Sequence, residues 1–171
     1  LLGSLLESVT KVSNTSGTYE AFFKFWESRA SKLFEISPLE MESYPSIDAG
    51  NLAFNEDTNF LLRHISGDIA YIDTPYTITQ YASAYHILET IARYDFPEIA
   101  GKTGRRQNGR RMSEYSRKQK AKESFEDMFR QIQFDHVLIS YSNQSLVPID
   151  ELVKLASGFA IDGDVKIEEV P

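Results

Sequence analysis

Gly67-Asp68-Ile69-Ala70-Tyr71-Ile72-Asp73-Thr74-Pro75-Tyr76 is an apolar run that ends in a carboxylate, a hydroxyl, a proline and an aromatic ring. Glycine bounds it on one side and proline on the other, so Asp68 to Ile72 reads as a strand whose exit carries polar chemistry. Downstream, Ala84, Leu88, Ile91 and Ala92 describe an amphipathic helix that stops before Pro97. Phe125, Met128, Phe129 and Ile132 recur at helical intervals and predict a helix over roughly 114–133. Val137 to Tyr141 is a second buried-type strand, and Pro148 to Ala156 a helix closed by Gly158. Asp164 to Val170 alternates imperfectly and is expected as a third strand. Strands alternating with helices predict the α/β class, a sheet layered with helices.

Upstream of the run, Phe60, Leu61 and Ile65 suggest a short helix over 57–65, stopped at Ser66-Gly67, and Asn51 to Phe54 a short strand. Leu2, Leu5, Leu6 and Val9 have helical spacing up to the polar stretch Ser13–Gly17. A second helix is expected from about Thr18 to about Phe34, capped by Ser16 or Thr18, with Phe22, Trp26, Ala30, Leu33 and Phe34 on one face. Pro38 and Pro45 mark an irregular connection.

The net charge of −7 is unevenly distributed. Lys102 to Lys122 holds nine basic residues and one acidic residue, Glu114, which leaves about −15 for the remainder. Such a concentrated basic stretch on an acidic body fits either a local contact with phosphates or a solvated loop. Within it, residues 100–113 hold three glycines and few apolar side chains and read as a mobile loop. There is no apolar run of about 18 residues, so no membrane span is expected. The absence of cysteine removes disulfides and thiolate metal sites and fits a cytoplasmic setting. His64, His86 and His136 show no ligand spacing, so no metal site is expected. Gly101-Lys102-Thr103 has the tail of a phosphate-binding loop, but its first glycine would fall at Phe96, and that reading is set aside.

Ligands of open α/β sheets bind beyond the carboxyl ends of strands, where Asp73-Thr74-Pro75-Tyr76 falls. An adenine amine is a poor nucleophile because its lone pair is delocalised into the ring. Two acceptors aimed at its N–H bonds favour the localised form, and the Asp73 carboxylate and Thr74 carbonyl supply two. Pro75 biases Thr74 towards an extended backbone. Tyr76 offers a ring on which an extruded base can stack. Taken alone, the tetrapeptide reads first as an ordinary turn after a strand, and it is the surrounding sequence that favours the chemical reading.

Tyr71-Ile72-Asp73-Thr74-Pro75-Tyr76 resembles the D-P-P-Y catalytic motif of the DNA adenine-N6 methyltransferases. Gln80-Tyr81, Tyr85-His86-Ile87-Leu88-Glu89, Ile91-Ala92-Arg93-Tyr94, Gly101-Lys102-Thr103-Gly104-Arg105 and Ile139-Ser140-Tyr141-Ser142-Asn143 are similar to the continuation in a branch found in restriction–modification systems. Asn14 to Phe22 looks like the segment that precedes the motif there, so the resemblance covers most of residues 11–155. It implies part of a Rossmann-like S-adenosylmethionine-dependent methyltransferase sheet with an N-terminal helical segment. It also implies transfer of a methyl group to adenine in double-stranded DNA, with a restriction endonuclease as partner in the same system. In that pattern residues 1–50 belong to target recognition, and 51–171 form the catalytic portion.

The resemblance gives Asp73, Thr74, Pro75 and Tyr76 the catalytic role and Asp57 a contact with the adenosine part of S-adenosylmethionine. Asp57 also suits the cap of the helix at 57–65, and both roles can hold. Ser140 and Asn143 are read either as pocket-lining residues or as a strand-end turn. Lys102, Arg105, Arg106, Arg110 and Arg111 are the expected phosphate contacts. Two departures stand out. Thr74 replaces the usual first proline, and the glycine-rich F-x-G-x-G motif that holds the cofactor's methionine end is missing. With no starting methionine and an end within an expected strand, the sequence is expected to be part of a longer chain. The alternatives are a non-catalytic DNA-binding module and one subunit of a split methyltransferase.

Overall fold

A computed structural model describes residues 1–21, 23–40, 50–107 and 112–169. The chain divides into two compact units, Leu1–Leu52 with Gln80–Met112, and Ala53–Thr79 with Ser113–Pro171.

The second unit holds the apolar core. Its centre is a pair of parallel strands, β1 (Ser66–Asp73) and β4 (Gln133–Ser140), in register from Ser66 opposite Gln133 to Asp73 opposite Ser140. Parallel pairing brings both carboxyl ends to the same end of the sheet, which matches a partial Rossmann-like α/β layout. Ala70 and Ile72 point from β1 into the core, while Ile69 and Tyr71, on the alternate positions, are exposed. Gly67 faces the Phe134 ring so closely that a Cβ there would sit 3.1 Å from it. Helix α5 (Ala121–Gln131) lays Ala121, Phe125, Met128 and Phe129 on the core, as their spacing predicts. The short helix α2 (Thr58–Leu61) packs on α5 and its C-cap residue Leu62 joins the core, to which α6 (Ile149–Ser157) adds Leu152.

The first unit is held differently. Helix α1 (Leu2–Val12) forms where its leucine spacing predicts, yet the residues it buries are Ser4 and Ser8. Ser8 Oγ accepts from the Ser37 amide and Ser4 Oγ from the Leu39 amide, both at 3.0 Å. Helices α3 (Tyr81–Ala84) and α4 (His86–Arg93) replace the single helix expected there, broken at Tyr85. A small antiparallel hairpin, β2 (Ile99–Ala100) and β3 (Arg105–Arg106), closes the unit's described residues.

Four further expectations change. No α-helix forms over 18–34 among the described residues, only a single 3-10 turn at Ser28–Ser31, and Trp26 is 78% exposed. Asn14 supplies the reason, because its side chain donates to the Phe25 carbonyl at 2.9 Å and accepts from the Glu27 amide at 3.0 Å. Those bonds hold the backbone extended where a helix would need it coiled. Phe22 lies outside the described residues. Likewise no strand forms at Asn51–Phe54 or over 164–169. Part of the expected loop at 100–113 is instead the hairpin, whose turn places Gly101 and Gly104 at φ 76° and 65°. Residues 108–111 lie outside the described set. Among the described residues no helix is long and apolar enough to cross a membrane.

Candidate active site

The exit of β1 puts Asp73 at the end of the sheet, directly opposite Ser140 at the exit of β4. Asp73 is exposed, Thr74 buried, and Pro75 half-buried. The buried Thr74 hydroxyl has no hydrogen-bond partner among the described residues. Tyr76 is tied down at both its backbone and its ring. Its carbonyl accepts from the Leu146 amide at 2.9 Å, and its ring meets Tyr141 edge to face, with centroids 6.4 Å apart. The segment leaving β4 therefore acts as a wall for the tetrapeptide. Tyr141 was invisible as a site residue in the sequence because its role depends on the register that sets Ser140 against Asp73. Ser140 is exposed at this end, and Asn143 is exposed on the following turn.

An aromatic chain runs inward from this point. Tyr141 meets Phe125 edge to face at 5.3 Å, and Phe125 meets Tyr115 at 5.0 Å. The Tyr115 hydroxyl donates to Asn59 Oδ1 at 2.6 Å. Burial pushes the pKa of this phenol well above its ordinary value, and the Asp57 charge adds to the shift, so it remains a donor. Asn59 in turn donates to the Ser124 carbonyl and to Asp127, each at 2.9 Å.

Asp57 stands beside this network. Its Oδ1 accepts from the Phe60 amide at 3.1 Å, capping α2 as its position predicts. Asp57, Asn59, Arg63, Tyr115 and Asp127 line an open cavity of about 390 Å³. The capping bond uses one carboxylate oxygen. The other makes no hydrogen bond among the described residues and can accept from a ligand hydroxyl or amine.

The expected phosphate contacts Lys102, Arg105 and Arg106 belong to the first unit, whereas Arg117, Lys118, Lys120 and Lys122 of the same basic stretch belong to the second. Lys102 is exposed on the hairpin turn and makes no ion pair among the described residues. Arg105 is exposed and pairs with Glu20. Arg106 is different. It is 3% exposed and its guanidinium is forked onto Asp95, with a further bond to Thr90 Oγ1 at 3.2 Å. The expected phosphate contact at Arg106 is thus corrected to an internal ion pair in this structure. Its hydrophobic-poor context gave no hint of burial, because the signal is a distant carboxylate. Arg110 and Arg111 lie outside the described residues. Among those described, no cluster of three or more His, Asp or Glu could hold a metal ion.

Residues 1–155 match the family described as D12 class N6 adenine-specific DNA methyltransferase. The chain is 68% identical over 168 residues to the modification methylase LlaI of Lactococcus lactis subsp. lactis, covering 98% of this chain and 27% of that protein. It is 39% identical over 173 residues to the modification methylase StsI of Streptococcus sanguinis, covering 100% of this chain and 26% of the relative. The Type II methyltransferase M.NlaIII of Neisseria lactamica is 36% identical over 159 residues, 93% of this chain and 46% of its own length. The chain thus spans about a quarter of the first two relatives and under half of the third. No solved structure matches it. The family match runs through both strand exits, the hairpin and the core helix between them, and on that ground the chain belongs to the D12 class of N6 adenine-specific DNA methyltransferases.

Proposed function

We propose that this protein transfers a methyl group from S-adenosylmethionine to N6 of adenine in duplex DNA, as the modification activity of a restriction–modification system with a cognate endonuclease. The observation that carries the reading is the placement of Asp73-Thr74-Pro75-Tyr76 at the carboxyl end of a parallel strand, with Ser140 opposite and Tyr141 behind.

Asp73 is solvent-accessible and accepts one amine N–H, while the Thr74 carbonyl accepts the second. Burial of the Thr74 side chain holds its backbone in place for this. Tyr76, fixed by Leu146 and Tyr141, stacks on the extruded base. S-adenosylmethionine supplies, when bound, an electrophilic methyl group on a sulfonium. Asp57 holds its adenosine part through the carboxylate oxygen that the helix cap leaves open. The amine proton released after transfer passes to water, to which the exposed Asp73 carboxylate is open. Lys102 and Arg105, with Arg110 and Arg111, grip phosphates, and residues 1–50 contribute to target recognition.

The test is transfer of labelled methyl from S-adenosylmethionine to duplex DNA, followed by nucleoside analysis. The expected product is N6-methyladenine, lost in Asp73→Ala while DNA binding persists. Salt-sensitive DNA binding with no transfer by the unmodified full-length protein would favour a non-catalytic binding module. Transfer at the unmodified rate in Asp73→Ala would sink the mechanism.

A further inference from the structure

The first unit displays two aromatic rings that none of its described residues covers. Tyr94 and Phe96 are 79% and 78% exposed, and they meet edge to face with centroids 4.9 Å apart. Both stand at positive φ, 51° and 42°, a conformation that bulky side chains seldom adopt. What holds them there is the residue between. Asp95 receives both arms of the buried Arg106 guanidinium, Nη1 donating to Oδ1 at 3.0 Å and Nη2 to Oδ2. The Tyr94 amide closes α4 by donating to the Thr90 carbonyl at 2.8 Å, and Thr90 Oγ1 accepts from Arg106 as well. Arg106 lies on β3, so the strained turn and the basic hairpin are fastened into one element. Lys102 stands exposed at the hairpin's tip, and Arg105, exposed along its edge, pairs with Glu20.

We propose that Tyr94 and Phe96 form a stacking platform for DNA bases, held rigid by the Asp95–Arg106 fork beside the cationic hairpin. The inference rests on the DNA-binding reading above and adds a base-contacting site remote in sequence from Tyr76. Every base offers a π face, and its anionic backbone suits the cations fastened to the same turn. An apolar protein partner would match the rings but not the exposed Lys102 beside them. A fixed backbone also spares the entropy of ordering the rings on contact. That gives the strain at Tyr94 and Phe96 a use.

The test compares the full-length protein with the double variant Tyr94→Asn/Phe96→Asn on a fluorescent duplex across a salt series. Asparagine tolerates positive φ, so the rings are lost while the turn is kept. Affinity should fall on the order of ten-fold with an unchanged salt slope, and Tyr94→Phe/Phe96→Tyr should restore it. Lys102→Ala should instead lower the slope by about one. Unaltered affinity in the asparagine variant overturns the platform. So does a fall in melting temperature with affinity intact, which would assign the rings to a contact within the protein. Failure of the unmodified protein to bind DNA at all would overturn the broader reading, and this one with it.

Discussion

Thr74 carries two separable properties at the heart of the candidate site. Its carbonyl is the part the mechanism uses, whereas its hydroxyl is buried with no partner among the described residues. A buried hydroxyl without a hydrogen bond costs about 1–3 kcal/mol. Thr74→Val keeps the shape and the carbonyl, so it should stabilise the protein by about 1 kcal/mol in denaturant titration and leave methyl transfer intact. Loss of transfer in that variant would give the hydroxyl a role of its own. Asp57 can be dissected in the same way. Asp57→Ala removes both cap and charge and should cost about 1 kcal/mol, whereas Asp57→Asn keeps the cap. If Asp57 holds the cofactor as proposed, the asparagine variant retains its melting temperature and shows a raised KM for S-adenosylmethionine. An unchanged KM would leave Asp57 as a cap alone. The position of Asp73 and Tyr76 at a strand exit was legible in the sequence because a polar tetrapeptide ends an apolar run. Tyr141 and Asn59 were not, since a packed ring and a buried amide bond depend on partners distant in the chain.

Among the elements, the hairpin and its fork make the sharpest prediction. The hydrogen bond from Arg106, with the charges of Arg106 and Arg93 acting against some desolvation, holds the Asp95 carboxyl below the usual range. A carboxylate lowered in the folded state stabilises fully above its unfolded pKa, roughly pH 4, and loses that contribution as pH falls through the lowered value. Melting temperature should therefore decline more steeply below about pH 4 in the parent than in Asp95→Asn, measured as a pH series. Identical acid limbs would mean the fork contributes nothing. Elements whose apolar spacing meets a core were readable: α6 and β1 form within a few residues of their predicted spans, whereas α5 keeps its predicted apolar face but begins only at Ala121, after a separate 3-10 turn at Glu114–Ser116. The expected helix over 18–34 failed because periodicity alone does not fold a helix without a surface to bury its face. The side chain of Asn14 offered the backbone another set of bonds. The hairpin was missed because strands of two residues leave no alternation to read.

For the molecule as a whole, the division of labour between units follows composition. The apolar core is confined to Ala53–Thr79 and Ser113–Pro171, while the described buried residues of the other unit, Ser4, Ser8, His86 and Arg106, are all polar. Charge is similarly uneven, so net charge of −7 should not prevent DNA binding. Affinity should fall steeply with salt, because each phosphate contact releases a counterion. A flat salt response would remove the basic stretch from the interface. Parallel strands normally have both faces covered, yet Ile69, Tyr71 and Leu138 are exposed here. The isolated chain should therefore bind a hydrophobic dye such as ANS strongly. Weak binding would show that this surface is shielded in solution. The serine pair of α1 carries a last consequence. Residues four apart on a helix are separated by about 6 Å of rise, close to the roughly 6.6 Å between alternate amides of an extended chain. Ser4 and Ser8 thus meter out a strand-like rail, and the Leu39 and Ser37 amides should resist deuterium exchange although they belong to no regular element.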